Sequence, residues 1–152
     1  MKKIVQQLDM EFIPYEQALA LKELGFDEPC FGLWNLNNGK YEVDIISVCK
    51  YSPKFKYREV LAPLYQQAFR WFREKYRFQN ILWSGKINTI FYGYDILNID
   101  EQKFILNNSE NGGGDCNYDT YEEAELECLK KLIEIVNEEI NKYYNETYGG
   151  NK

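Results

Sequence analysis

The chain contains no histidine among its 152 residues. This absence excludes Ser-His-Asp and Cys-His catalytic pairs, a histidine general base and histidine metal ligands. Any catalysis would have to use carboxylate, cysteine, lysine or tyrosine groups, few of which have a pKa near neutrality. The sequence therefore favours a protein that is not an enzyme, and it gives no catalytic residue to assign.

Cysteine is also scarce and widely spaced. The four cysteines are Cys30, Cys49, Cys116 and Cys128, and no two of them have the C-x-x-C spacing of zinc and redox sites. Four thiols are too few for the disulfide scaffold of a small secreted protein. The sequence predicts reduced and mostly buried thiols, with no metal ligands and no cofactor.

Long apolar segments are missing as well. No run approaches 18 consecutive apolar residues, so no membrane span is predicted. Residues 1–7 include two lysines, but no apolar segment follows them, so no signal peptide is predicted. These features together favour a cytoplasmic protein that does not bind membranes.

Aromatic residues, in contrast, are abundant at 16% of the chain, and 13 of them are tyrosine. They supply core volume, which argues against disorder over most of the length. Pro14 and Gly25 delimit a predicted helix over residues 14–24, with Phe26 placed to fold back onto it. An Asn38-Gly39 turn between two apolar segments, residues 31–36 and 41–48, predicts a β-hairpin.

The rest of the chain alternates between helical and strand patterns. Thr120 with Glu123 three residues later is typical of a helix N-cap and marks the start of the last helix. The remaining predictions are a helix at 61–76, strands at 81–83, 87–99 and 103–106, a turn at 84–86, a loop at 107–117 and a helix at 121–144.

This pattern predicts an α+β protein with a two-layer, mainly antiparallel sheet and three helices. The order of the elements is α-β-β-α-β-β-β-α, and the hairpin connections favour antiparallel pairing. We expect residues 1–144 to form a single domain and residues 145–152 to be a frayed tail.

Charge is distributed unevenly along this acidic chain, whose net charge is -6. Residues 50–86 carry nine basic and two acidic side chains, whereas the segments before and after them are both net acidic. In residues 50–58, cations alternate with three aromatic side chains. The helix that follows adds Arg70, Arg73 and Arg77, which the helical spacing places on one face.

These residues predict a binding surface, the basic-aromatic patch, for an acidic or phosphate-bearing partner. Its members are Lys54, Lys56, Tyr57, Arg58, Arg70 and Arg73. Two structural alternatives stay open. The cations can pair with the glutamates of the last helix, or residues 50–58 can be an edge strand whose charges prevent unwanted pairing.

Two further features have functional interpretations. Asp115, Asn117 and Asp119 resemble the start of a calcium-binding loop, but the required glycine and the final glutamate are both missing, so no metal site is predicted. On the last helix, the apolar positions near Ile140, Tyr143 and Tyr144 extend beyond the predicted sheet. These positions are a candidate contact with a second copy of the chain, which gives the hypothesis of a homodimer through the last helix.

Three segments together carry a resemblance to a known group of proteins. They are residues 13–30, residues 62–73 and residues 121–136. The chain resembles small hypothetical proteins encoded by phages and prophages of gut Bacteroides-type bacteria. No activity is attached to that group, so no functional residue is carried over. The resemblance implies a phage or mobile-element accessory protein acting inside a bacterial cell.

The sequence thus predicts a non-enzymatic binding protein whose partner is another protein, of unknown identity, contacted through the basic-aromatic patch. The alternative is a single-stranded nucleic-acid-binding accessory protein that uses the same residues, because aromatic rings stack on bases while cations neutralise phosphates. The net negative charge of the chain counts against this alternative.

Overall fold

The structure, a computed structural model, describes residues 10–49, 59–110 and 117–149. Three helices and six strands occur in these ranges, and every strand pair is antiparallel. The α+β class and the predicted order of elements are confirmed, with one additional short strand. In chain order the elements are α1 Tyr15–Glu23, β1 Cys30–Asn37, β2 Lys40–Cys49, β3 Val60–Ala62, α2 Tyr65–Lys75, β4 Phe78–Lys86, β5 Ile90–Asn98, β6 Lys103–Leu106 and α3 Tyr121–Tyr148.

The chain divides into two compact units, Met1–Trp71 and Phe72–Lys152, and the division falls inside α2. The strands form one three-stranded sheet in each unit, with the orders β2-β1-β3 and β4-β5-β6. The expectation of a single domain over residues 1–144 stays a prediction.

The first helix of the first unit is α1, and the proline and glycine that flank it in the sequence predict its bounds closely. Pro14 precedes its first turn, and Gly25 follows its end in the left-handed conformation with a φ of 89°. The amide of Phe26 donates to the Leu21 carbonyl at 2.9 Å, which satisfies one of the free carbonyls of the last turn. The buried side chain of Phe26 then packs edge-to-face on Trp71.

The β1–β2 hairpin is also confirmed. Asn38 and Gly39 both have positive φ angles, 48° and 79°, as a two-residue turn of this kind requires. The strands keep one register from Asn37↔Lys40 to Gly32↔Ile45, and the register shifts only beyond Gly32. Gly32 is required here because a Cβ at this position would lie 2.5 Å from the Phe12 ring.

The additional strand β3 corrects the predicted start of the second helix. We expected a helix over residues 61–76, but Leu61 and Ala62 pair with β1, and α2 begins at Tyr65. Pro63 explains the difference, because a residue that precedes proline is driven towards extended backbone. The amide of Ile13 donates a hydrogen bond to the Pro63 carbonyl at 3.0 Å. This bond links the segment that precedes α1 to the segment that precedes α2.

In the second unit, α3 packs on β5 and β4. The predicted turn at residues 84–86 is wrong: β4 continues to Lys86, and the turn lies at residues 87–89. Gly85 is a strand residue whose missing side chain leaves room for the Phe91 ring, since a Cβ would lie 2.4 Å from that ring.

Thr120 caps α3 as predicted, with its hydroxyl accepting a hydrogen bond from the Glu123 amide at 3.1 Å. The helix continues to Tyr148, four residues beyond the predicted end at 144.

Both units have an apolar interior. In the first unit the buried side chains include residues of the segment before α1, of α1 and the loop that follows it, and of β1, β3 and α2. In the second unit, Phe78, Tyr94 and Ile96 of the sheet are buried, and α3 contributes Ala124, Cys128, Leu129, Leu132, Ile135 and Val136.

Candidate functional site

The basic-aromatic patch is only partly within the described residues. Lys54, Lys56, Tyr57 and Arg58 lie outside them. Arg70 and Arg73 both lie on α2, with Arg70 exposed and Arg73 half-buried. The structure therefore bears on the helical members of the patch alone, and the role of the other four residues stays a prediction.

Arg70 has an acidic partner within its own unit. Its Nη2 lies 3.1 Å from Oε2 of Glu28, in the segment between α1 and β1. The pair is exposed to solvent, with 50% of the Arg70 side chain accessible, so it contributes at most about 1 kcal/mol. A partner can replace Glu28 at that small cost, although Arg70 is a weaker candidate contact than an arginine without an ion pair.

Arg77 does not continue the row of arginines on α2. We expected Arg70, Arg73 and Arg77 on one helix face, but α2 ends at Lys75 and Arg77 has a φ of 63°. Its Nε donates to the Asp100 carboxylate at 2.9 Å. The left-handed backbone at Arg77 takes its side chain out of the helical register, so this residue does not belong to the patch.

A partly exposed surface of aromatic and aliphatic side chains lies on one face of the β1–β2 hairpin. In this register Leu36 pairs with Tyr41, and Trp34 pairs with Val43, so all four share one face. Tyr15 of α1 stacks on Tyr41 with ring centroids 3.5 Å apart. It also meets Trp34 edge-to-face at 6.3 Å. We call this group, together with Ile45, the hairpin surface: Tyr15, Trp34, Leu36, Tyr41, Val43 and Ile45.

Hydrogen bonds orient the aromatic side chains of the hairpin surface. The indole Nε1 of Trp34 donates to the Ile13 carbonyl at 3.1 Å. A hydrogen bond between the Tyr15 and Tyr41 side chains, aided by burial, raises the pKa of Tyr15 above its ordinary value. Together with the ring stacking, these contacts hold the Tyr15, Trp34 and Tyr41 rings in place, so little of their side-chain entropy remains to be lost when they are covered.

A second exposed aromatic surface lies on α3, whose 28 residues are about 42 Å long. Its last buried residue is Val136, and every described residue from 137 to 149 is exposed. Within this segment, spacings of three and four residues place four large side chains along one side of the helix. We call them the tyrosine strip: Ile140, Tyr143, Tyr144 and Tyr148, which are 44–68% exposed.

Asp95 is the one buried charged residue in the described part of the chain, at 3% exposure. Its carboxylate accepts hydrogen bonds from the Asn108 amide at 2.8 Å, the Ser109 amide at 3.0 Å and the Ser109 hydroxyl at 2.6 Å. All three donors come from the turn after β6. The carboxylate is thus satisfied by the chain itself and anchors that turn, which is a structural role.

The described residues offer little for metal or thiol chemistry. Within residues 10–49, 59–110 and 117–149, no group of three or more cysteine, aspartate or glutamate side chains is placed to hold a metal ion. Cys30 and Cys128 are both buried, as the sequence predicts. The Cys30 thiol donates to the Glu28 carbonyl at 3.4 Å, which fits a packed core residue better than a reactive one. No helix in these ranges is both long and apolar enough to span a membrane.

Comparison with known proteins adds no relative. No protein-family model matches the chain, and the searches of curated proteins and of solved structures found no match either. The function therefore has to be argued from the surfaces described above.

Proposed function

We propose that this protein is a non-enzymatic module that binds another protein, and that it serves as a phage or mobile-element accessory protein inside the bacterial cell. The observation that carries the binding role is the tyrosine strip. It is a set of large aromatic and aliphatic side chains held in solvent by a helix whose preceding turns are anchored in a core.

The composition of the strip favours a protein partner. Tyrosine is enriched in protein–protein interfaces because it combines a large apolar ring with a hydroxyl and has few rotatable bonds. Tyr144 and Tyr148 lie with ring centroids 4.9 Å apart and together offer a continuous aromatic area. Glu139 and Glu146 are exposed on the same helical segment, and their negative charge disfavours a phosphate backbone as the partner.

The basic-aromatic patch is the second contact region of the proposal. Arg73 is its best-supported described member, because no ion pair in the described residues involves it. Arg70 joins it by exchanging Glu28 for an acid of the partner. Lys54, Lys56, Tyr57 and Arg58 complete the patch as the sequence predicts.

We expect immobilised protein to capture a discrete partner from a lysate of the bacterium that encodes it, whether or not the lysate is treated with nuclease. A variant with serine in place of Tyr143, Tyr144 and Tyr148 should lose this partner, because those rings supply the buried contact area. The measurement is the amount of each captured protein, determined by quantitative mass spectrometry.

The matched control replaces Glu138, Lys142 and Asn145 by serine, three exposed residues of the same helical segment outside the strip, and it should keep the partner. Capture that disappears after nuclease treatment would instead support the alternative of single-stranded nucleic-acid binding. Equal capture by the serine variant and the control variant would contradict the proposal.

A further inference from the structure

Strand β2 forms one edge of the first sheet. The sheet order is β2-β1-β3, and within the described residues no strand pairs with the outer side of β2. Its regular part, residues 40–45, keeps one register with β1 and is about 20 Å long, and every second residue of this part directs its backbone N–H and C=O away from β1. Proline, the usual block to strand addition, is absent from it. This edge therefore has the geometry to accept a further strand.

The two faces of the edge differ in chemistry. Tyr41, Val43 and Ile45 alternate along the face that belongs to the hairpin surface, with Tyr41 44% and Ile45 56% exposed. Glu42 and Asp44 alternate on the other face, and both are exposed. An added strand would therefore have to present apolar side chains on one face and side chains that tolerate carboxylates on the other.

The two carboxylates are oriented without being neutralised. Asp44 accepts a hydrogen bond from the Asn35 amide group, and Glu42 accepts one from Asn37 at 3.3 Å, both across the β1–β2 pair. An amide holds a carboxylate in position but leaves its charge uncompensated. Within the described residues neither carboxylate forms an ion pair, so each is available to a bound cation.

We propose that the outer edge of β2 binds an extended basic peptide segment of a partner protein by strand addition. Aliphatic side chains of the peptide pack beside Tyr41, Val43 and Ile45, and its lysine or arginine side chains face Glu42 and Asp44. Backbone hydrogen bonds to β2 supply affinity, and the alternation of apolar and basic residues supplies specificity. This inference goes beyond the proposed function, since it concerns an acidic surface that neither the tyrosine strip nor the basic-aromatic patch includes.

The first test uses a fluorescent seven-residue peptide, Lys-Val-Lys-Val-Lys-Val-Lys, and measures fluorescence anisotropy with the intact protein. We expect saturable binding. Two further peptides carry N-methyl groups, one on the three valines and the other on the lysines at positions three, five and seven. Because only one edge of an added strand faces β2, one methylated peptide should lose binding and the other should retain it. Equal binding of the two, or no binding of the parent peptide, would overturn the proposal.

The second test changes the charges of the edge. The double variant Glu42→Lys with Asp44→Lys should bind the parent peptide at least about tenfold more weakly. The control Glu23→Lys with Asp27→Lys changes two exposed acids of the same unit by the same charge, and it should bind within about twofold of the wild type. Equal weakening in the two variants would reduce the effect to net charge and overturn the proposal. A dimer of the peptide-free protein that the Glu42→Lys, Asp44→Lys variant abolishes would assign the edge to a second copy and would also overturn it.

Discussion

Replacing Asp95 by alanine is expected to lower the free energy of unfolding by about 3 kcal/mol. The carboxylate is almost fully buried and accepts three hydrogen bonds from Asn108 and Ser109. Alanine removes all three acceptor contacts and leaves two backbone amides without their partner in a partly buried turn. Hydrogen bonds to a charged acceptor are worth more than neutral ones, so the loss is large. Urea denaturation followed by circular dichroism measures it.

The matched control for this prediction is Asp100→Ala, which removes an acidic side chain from the exposed turn between β5 and β6. Asp100 pairs with Arg77 in solvent, so its loss should cost less than about 1 kcal/mol. If Asp95→Ala were as mild as Asp100→Ala, the buried network would not anchor the turn after β6.

The second large effect is expected at Leu132, a fully buried residue of α3. Leu132→Ala should lower the free energy of unfolding by about 2–5 kcal/mol, because it removes apolar contacts and leaves a cavity. Tyr144→Ala in the same helix should change it by no more than about 0.5 kcal/mol, because the tyrosine is 63% exposed. Thermal and urea denaturation of the two variants provide the comparison.

This contrast separates folding from function within one helix. If a tyrosine of the strip contributes little to the free energy of unfolding, its exposed ring is not needed for folding. A role in binding then explains why a large apolar ring lies in solvent. If Tyr144→Ala were as destabilising as Leu132→Ala, the strip would be part of the core and its role in binding would be withdrawn.

Local signals predicted those parts of the fold that depend on few residues. The left-handed Gly25 ends α1, the Asn38-Gly39 pair closes the hairpin, and the Thr120 hydroxyl starts α3. In each case the residue that determines the geometry acts on backbone atoms within about five positions of itself. Such features can be derived from sequence because no distant partner has to be known.

The parts that sequence did not predict depend on distant contacts. β3 exists because Val60, Leu61 and Ala62 pair with β1, some 28 residues earlier in the chain. In isolation Gly85 is typical of a turn, yet it lies in a strand because β4 pairs with β5 up to Lys86↔Ile90, with Gly85 opposite Phe91. The separation of the strands into two sheets also follows from non-local pairing that local propensities do not specify.

For the candidate surfaces, too, features that depend on local sequence could be predicted and features that depend on distant contacts could not. The apolar periodicity of the last helix continues beyond the length that the predicted sheet can cover. Ile140, Tyr143 and Tyr144 lie in this part of the helix, and all three are exposed as predicted. The pairing of Arg70 with Glu28 joins residues 42 positions apart and could not be read from the sequence. Asp95 gave one signal, an acid inside an otherwise apolar and aromatic strand, but its donors follow only from the fold.

The central claim is that the tyrosine strip contacts another polypeptide, and site-specific photo-crosslinking tests it most directly. Benzoylphenylalanine in place of Tyr144, in protein expressed in the bacterium that encodes it, should give one discrete crosslinked species on irradiation. The same photoreactive residue in place of Glu138, which is exposed but outside the strip, should give none. A species of twice the chain mass would identify a second copy as the partner, and any other mass would identify a different protein. Absence of a discrete species from position 144, or equal crosslinking from both positions, would contradict the account.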